Sequence, residues 1–181
     1  MKTLWMGVLI FATAMMAALG LPQVSVAQEV LTARLRGFEV VPSISTVGSG
    51  FFGGTVSNNE TALDFELSYN NIESAVQQAH IHFGQKSVTG GIVIFLCTNL
   101  GNGPSGTPTC PSPSGTVMGT RTAADMVNLL GTSGQGIAPG EFAELLRAIR
   151  GGVAYADVTS MLHPTGELRG QIRSSQGVSD Q

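Results

Sequence analysis

Leu63, Phe65, Leu67 and Tyr69 alternate with Asp64, Glu66 and Ser68. A period of two puts the apolar side chains on one face of an extended strand and the polar ones on the other. A helix would scatter the same residues around its axis, so the stretch is a half-buried strand, and it ends at Asn70-Asn71. Leu31, Ala33 and Leu35 alternate with Thr32, Arg34 and Arg36 in the same way. Further strands are expected over Phe52 to Ser57, Val76 to Phe83, Thr116 to Gly119, Val153 to Thr159 and Glu167 to Ile172. Ile92 to Cys97 is apolar throughout and reads as a strand buried on both faces.

The gaps carry turn chemistry. Gly37 to Gly48 is a loop holding Glu39, Val40, Val41 and Pro42, and Ser57-Asn58-Asn59-Glu60 turns a hairpin. Asn59-Glu60-Thr61 at that tip fits a glycosylation sequon. Gly84 to Gly91 and Pro164-Thr165-Gly166 are further turns. The pattern changes in the middle. Thr122 to Leu130 reads as a short helix with Thr122 near its N-cap, and Pro139 to Arg150 as a stronger one. In the second, Phe142, Leu145, Leu146 and Ile149 share one face, and Gly151-Gly152 stops it. Short strands at this spacing with a helical insertion predict an all-β fold, an antiparallel Greek-key sandwich or barrel with one or two short helices before the last two strands. No internal repeat is visible.

The N-terminus is of another kind. Lys2 precedes an apolar run from Leu4 to Leu21, Pro22 breaks it, and Ser25-Val26-Ala27 offers small residues to a signal peptidase. Residues 1–27 are therefore expected to be a secretory signal peptide cut after Ala27. A membrane anchor is the alternative, but Gly20 and Pro22 interrupt the run's end and the small-x-small site follows. The domain proper is expected over 28–173, followed by a polar tail, 174–181. Losing Lys2, the one charged residue of the leader, takes the net charge from −3 to −4. Lys86 and seven scattered arginines remain as side-chain cations. That excludes a nucleic-acid partner and a polybasic membrane surface. No second apolar run supports stable membrane insertion after cleavage.

Cys97 and Cys110 bracket a stretch with no apolar period. In an oxidising compartment they are expected to form a disulfide. It would close a 14-residue loop and stabilise the fold by about 3 kcal/mol. Their spacing is wrong for a redox couple, and two cysteines alone make a poor metal site.

Little else carries chemistry. His80 and His82 are i and i+2 on an expected strand, so they share a face, with Cβ atoms about 6–7 Å apart. Such a pair can put two nitrogens on one zinc or copper ion. It can equally line a solvated face or bond loop carbonyls. A closed site needs more ligands, and the only other histidine is His163, before Pro164. Glu167 and Arg169 are also i and i+2 and are placed to pair. No nucleophile motif, phosphate loop or singled-out acid pair is present, so no catalytic residue is assigned.

Three blocks carry a family resemblance. Leu35-Arg36-Gly37-Phe38-Glu39-Val40-Val41-Pro42 resembles the opening of the CHRD domain. Ala79-His80-Ile81-His82-Phe83-Gly84 resembles its centre. Gly151-Gly152-Val153-Ala154-Tyr155 and Pro164-Thr165-Gly166-Glu167-Leu168-Arg169-Gly170-Gln171-Ile172 resemble its close. The resemblance makes Glu39, Pro42, Glu167 and Arg169 motif residues. It implies an extracellular module with a fold similar to the Cu/Zn superoxide dismutase sandwich, where a His-x-His strand serves copper. Arg169 would stand near that site. The family commonly has a third histidine where this chain has Thr159. Either His163 replaces it or the site is lost. The expected function is a secreted or periplasmic binding or structural module, acting on an unidentified extracellular or envelope partner. No cofactor is evident in that reading. The alternative is a copper- or zinc-binding protein with a dismutase-like site at His80 and His82.

Overall fold

The computed structural model describes residues 27–127 and 134–177, so all of the expected leader but Ala27 lies outside it. Nine strands among the described residues join one antiparallel sheet. They are β1 (Val30–Arg36), β2 (Ser49–Val56), β3 (Ala62–Asn70), β4 (Val76–Phe83), β5 (Gly91–Thr98), β6 (Gly115–Thr122), β7 (Ala154–Ser160), β8 (Leu168–Gln171) and β9 (Arg173–Ser174). One α-helix among the described residues, α1 (Phe142–Arg150), lies between β6 and β7.

The strand order is β5-β4-β7-β8-β1-β2-β3-β6, with β9 added on β1. β6 returns to pair with β3 after β4 and β5 have left that side, which is a Greek-key connection. The edges β5 and β6 then meet. Ile94 bridges Met126, and the Val127 N–H donates to the Val93 carbonyl at 2.9 Å. Arg121 of β6 completes the contact: its Nε donates to the Phe95 carbonyl at 2.8 Å and its Nη2 to that of Leu96 at 3.1 Å. A buried guanidinium thus replaces missing ladder bonds and leaves the sheet nearly closed into a barrel.

The alternation read from the sequence becomes the inner face. Leu31, Phe52, Leu67, Ile81, Leu96 and Leu168 are fully buried in a single core. α1 buries Phe142, Leu145, Leu146 and Ile149 against it. In α1's last turn, Arg150 Nη2 bonds Glu29 at 2.6 Å and Glu60 at 2.7 Å. Burial alone would raise the Glu29 carboxyl, but its bonds from Arg150 and Ser174 hold it below its ordinary value. Paired backbone runs on into β9 and ends beside the start of β1, where Ser175 Oγ accepts from the Val30 N–H.

The Cys97–Cys110 disulfide is formed, with Cα atoms 5.2 Å apart. Asn99 reinforces the loop, its side-chain amide bonding the Cys110 and Val76 carbonyls and the Cys110 N–H.

The helix read over Thr122 to Leu130 is a single 3-10 turn, Ala123–Asp125, in the described part, and residues 128–130 lie outside it. Thr122 does cap that turn, with Asp125 folding back onto the Thr122 N–H at 2.7 Å. Met126 then goes extended because its bridge to Ile94 closes the barrel, and tertiary pairing overrides local propensity. The strand read at Thr116 to Gly119 is also longer, Gly115–Thr122, paired along its length with β3.

Candidate functional site

In an antiparallel sheet, directly opposed residues share a face. His80 opposes Asp157 across β4 and β7, and Asp157 opposes Arg169 across β7 and β8. His82 opposes Tyr155 in the next row. Their neighbours Ala79, Ile81, Ala156 and Val158 fill the core, so these polar side chains lie on the barrel's outer surface. They are nevertheless buried: His80 is 2 % exposed, His82 9 %, Asp157 4 % and Arg169 5 %.

The cover is the turn between β4 and β5. Arg169 Nη2 donates to the Gln85 and Val88 carbonyls at 3.0 and 2.9 Å. Its guanidinium lies 3.6 Å over the Tyr155 ring, whose other neighbour is the parallel His82 ring at 4.7 Å. The Gly90 N–H donates to the Tyr155 hydroxyl at 3.2 Å. Only glycine fits at 90, because a Cβ there would stand 1.8 Å from the Phe83 carbonyl oxygen. β5 carries two extra residues opposite β4, one on each side of the His80/Phe95 and Ile81/Ile94 pairs. Such bulges re-aim the side chains they bracket.

The hydrogen bonds fix both tautomers. His80 Nδ1 is 3.1 Å from Asp157 Oδ1, and His82 Nδ1 is 2.9 Å from the Gly90 carbonyl. Both partners accept only, so each Nδ1 carries the hydrogen and each neutral ring keeps its lone pair on Nε2. Both Nε2 atoms are buried with no hydrogen-bond partner. His82 Nε2 nonetheless lies 3.2 Å from Asp157 Oδ2, within ion-pair distance but outside hydrogen-bond geometry. A lone pair facing a carboxylate oxygen is repulsive, and either a proton on Nε2 or a metal ion between the two relieves it. Burial pulls the His82 imidazolium down in pKa, but the Asp157 carboxylate outweighs it and the net direction is up. The two histidines in turn hold the buried Asp157 carboxyl far below the usual range.

One ligand atom each from His80, His82 and Asp157 lies within 4.8 Å of the others, and this group could hold a metal ion. The structure therefore brings His80 and His82 together with a carboxylate. His163 is elsewhere, beyond the end of β7, with Nε2 3.8 Å from Glu73. Thr159 stands one row from Asp157, its hydroxyl donating to the Gln78 carbonyl at 3.3 Å.

Glu167 and Arg169 do not pair with each other. Glu167, fully buried, accepts from the Thr46 hydroxyl at 3.0 Å, the Glu73 N–H at 2.8 Å and the Ser160 hydroxyl at 2.5 Å. It ties three loops together at the barrel end away from Gly90. Burial pulls the Arg169 guanidinium below its ordinary pKa, and the charge of half-buried Glu39 is among those that oppose this; Pro42, exposed on the same loop as Glu39, follows a cis peptide bond.

Fold and site together define a small disulfide-stapled Greek-key barrel with a buried polar cluster on its outer surface. The family model of the CHRD domain matches residues 31–172, and the chain belongs to that family. Comparison with curated proteins and with solved structures returned no match.

Proposed function

We propose that this chain is an exported, non-catalytic binding module that recognises a protein of the envelope or extracellular space. Export rests on the leader and agrees with the disulfide. The observation that carries the binding role is the loop end tied by Glu167. The registers put the loops 37–48, 71–75, 99–114 and 161–167 at one end of the barrel. There Phe38, Val47, Leu100, Met161 and Leu162 are 53–74 % exposed. These loops hold no Lys or Arg but include Glu39 and Glu73, so an anionic lipid surface is disfavoured and a protein surface fits. Rigid loops also lose little entropy on binding.

The test uses mature protein and envelope material from the host. Wild type is expected to be retained, and protease treatment of the material or Val47→Glu/Met161→Glu/Leu162→Glu in the chain should abolish retention. Retention unaffected by the triple variant, or transferred to anionic lipid vesicles, would refute the proposal.

A second reading has its own observation, the buried, unpartnered Nε2 atoms of His80 and His82, with that of His82 3.2 Å from Asp157 Oδ2. In it the group holds a zinc or copper ion through His80, His82 and Asp157. Asp157 would supply the third ligand that the Thr159 position lacks. The separation of 3.2 Å between His82 Nε2 and Asp157 Oδ2 fits two donors each about 2.1 Å from one ion at roughly a tetrahedral angle. Bound metal per chain after dialysis tests it.

A further inference from the structure

We infer that the His80/His82/Asp157 group is built for a divalent ion, zinc(II) or copper(II), and against copper(I), so that it does not shuttle electrons. The inference rests on the metal reading above and narrows it. The donor set is two imidazoles and a carboxylate. A carboxylate is a hard, charged donor that favours the higher charge, whereas copper(I) is held best by thiolate or thioether sulfur. No sulfur of the described residues is available to the group. Cys97 and Cys110 are bonded to each other. Met118 and Met161 are exposed, and Met126 packs in the core where β5 meets β6.

The surroundings resist the change of geometry that a copper cycle needs. Asp157 Oδ1 accepts from both the backbone N–H and Nδ1 of His80, so ring and carboxylate move together. His82 is clamped between the Gly90 carbonyl and the face of Tyr155, and Arg169 closes the stack. Copper(I) accepts two or three soft donors with wide angles. Reaching such a shape here means taking the buried Asp157 carboxylate, the one charged donor of the three, off the ion.

The experiment is a competition under anaerobic conditions. Mature protein is loaded with zinc(II), challenged with an equal concentration of copper(I), dialysed and assayed for both metals. Zinc is expected to stay near about one per chain with copper below about a tenth. Asp157→Cys, which exchanges the hard donor for a soft one, should reverse the preference by at least about tenfold. Displacement of zinc by copper(I) in the wild type would overturn the inference while leaving a metal site standing. No zinc taken up in the first step would instead defeat the metal reading itself and the inference with it.

Discussion

Glu167→Ala is expected to lower the unfolding free energy by about 3–5 kcal/mol, among the largest effects available to a single substitution here. The side chain is fully buried and accepts three hydrogen bonds, from Thr46, Glu73 and Ser160. Each buried donor left without a partner costs about 1–3 kcal/mol, and water entering the gap recovers part of that. Glu167→Gln separates this account from a generic packing loss. Oε1 takes two of the three bonds, so an amide oxygen there keeps the Thr46 and Glu73 contacts. The amide nitrogen can then donate to Ser160 Oγ, which already accepts from the His163 N–H. The glutamine variant should therefore lose only about 1 kcal/mol. Denaturant titration of the three proteins gives the comparison. An alanine variant within about 1 kcal/mol of wild type would contradict the view that Glu167 holds the loop end together.

The second large effect is on the metal-loaded protein. A ligand that binds only the folded state stabilises it by about 2.7 kcal/mol at a hundred times its dissociation constant. Saturating zinc should raise the thermal midpoint of the wild type accordingly, and should leave His80→Ala/His82→Ala where it was. The double variant will itself be less stable, since His80 packs edge-on against Phe95 and His82 stacks on Tyr155. The readout is accordingly the shift on adding zinc, not the starting midpoint. Asp157→Asn keeps the shape and removes the charge, and it should cut the shift by most of its size. An equal shift in all three proteins would assign the effect to other sites on the surface.

The alternation of Leu63, Phe65, Leu67 and Tyr69 was enough to place β3 and its buried face, because parity along a strand is a local property. The same parity put His80 and His82 on one side of β4. It could not say which strand lies beside them. Asp157 is a neighbour only because β7 pairs with β4 across 77 residues of sequence. Its acid side chain stood in a readable strand with nothing local to link it to the histidines. His163 shows the converse: a residue type that suits a metal, placed by the end of β7 next to Glu73 instead. Glu167 and Arg169 had the spacing of a pair, yet Glu167 lies just before β8 and turns to the loops, while Arg169 turns to Tyr155 and the cover of the site. The short helix after Thr122 had its cap legible in the sequence, but its early end depends on barrel closure, which no local signal encodes. The disulfide was legible because its evidence is the cysteine pair itself.

The measurement that bears most directly on the buried cluster is the metal content of the untagged mature protein, dialysed against zinc and then against metal-free buffer. A built site predicts about one zinc per chain in the wild type and a near-complete loss in His80→Ala/His82→Ala, with Asp157→Asn weakened by about ten- to a hundredfold. Wild-type stoichiometry below about a tenth, or binding that persists in the double histidine variant, would contradict it.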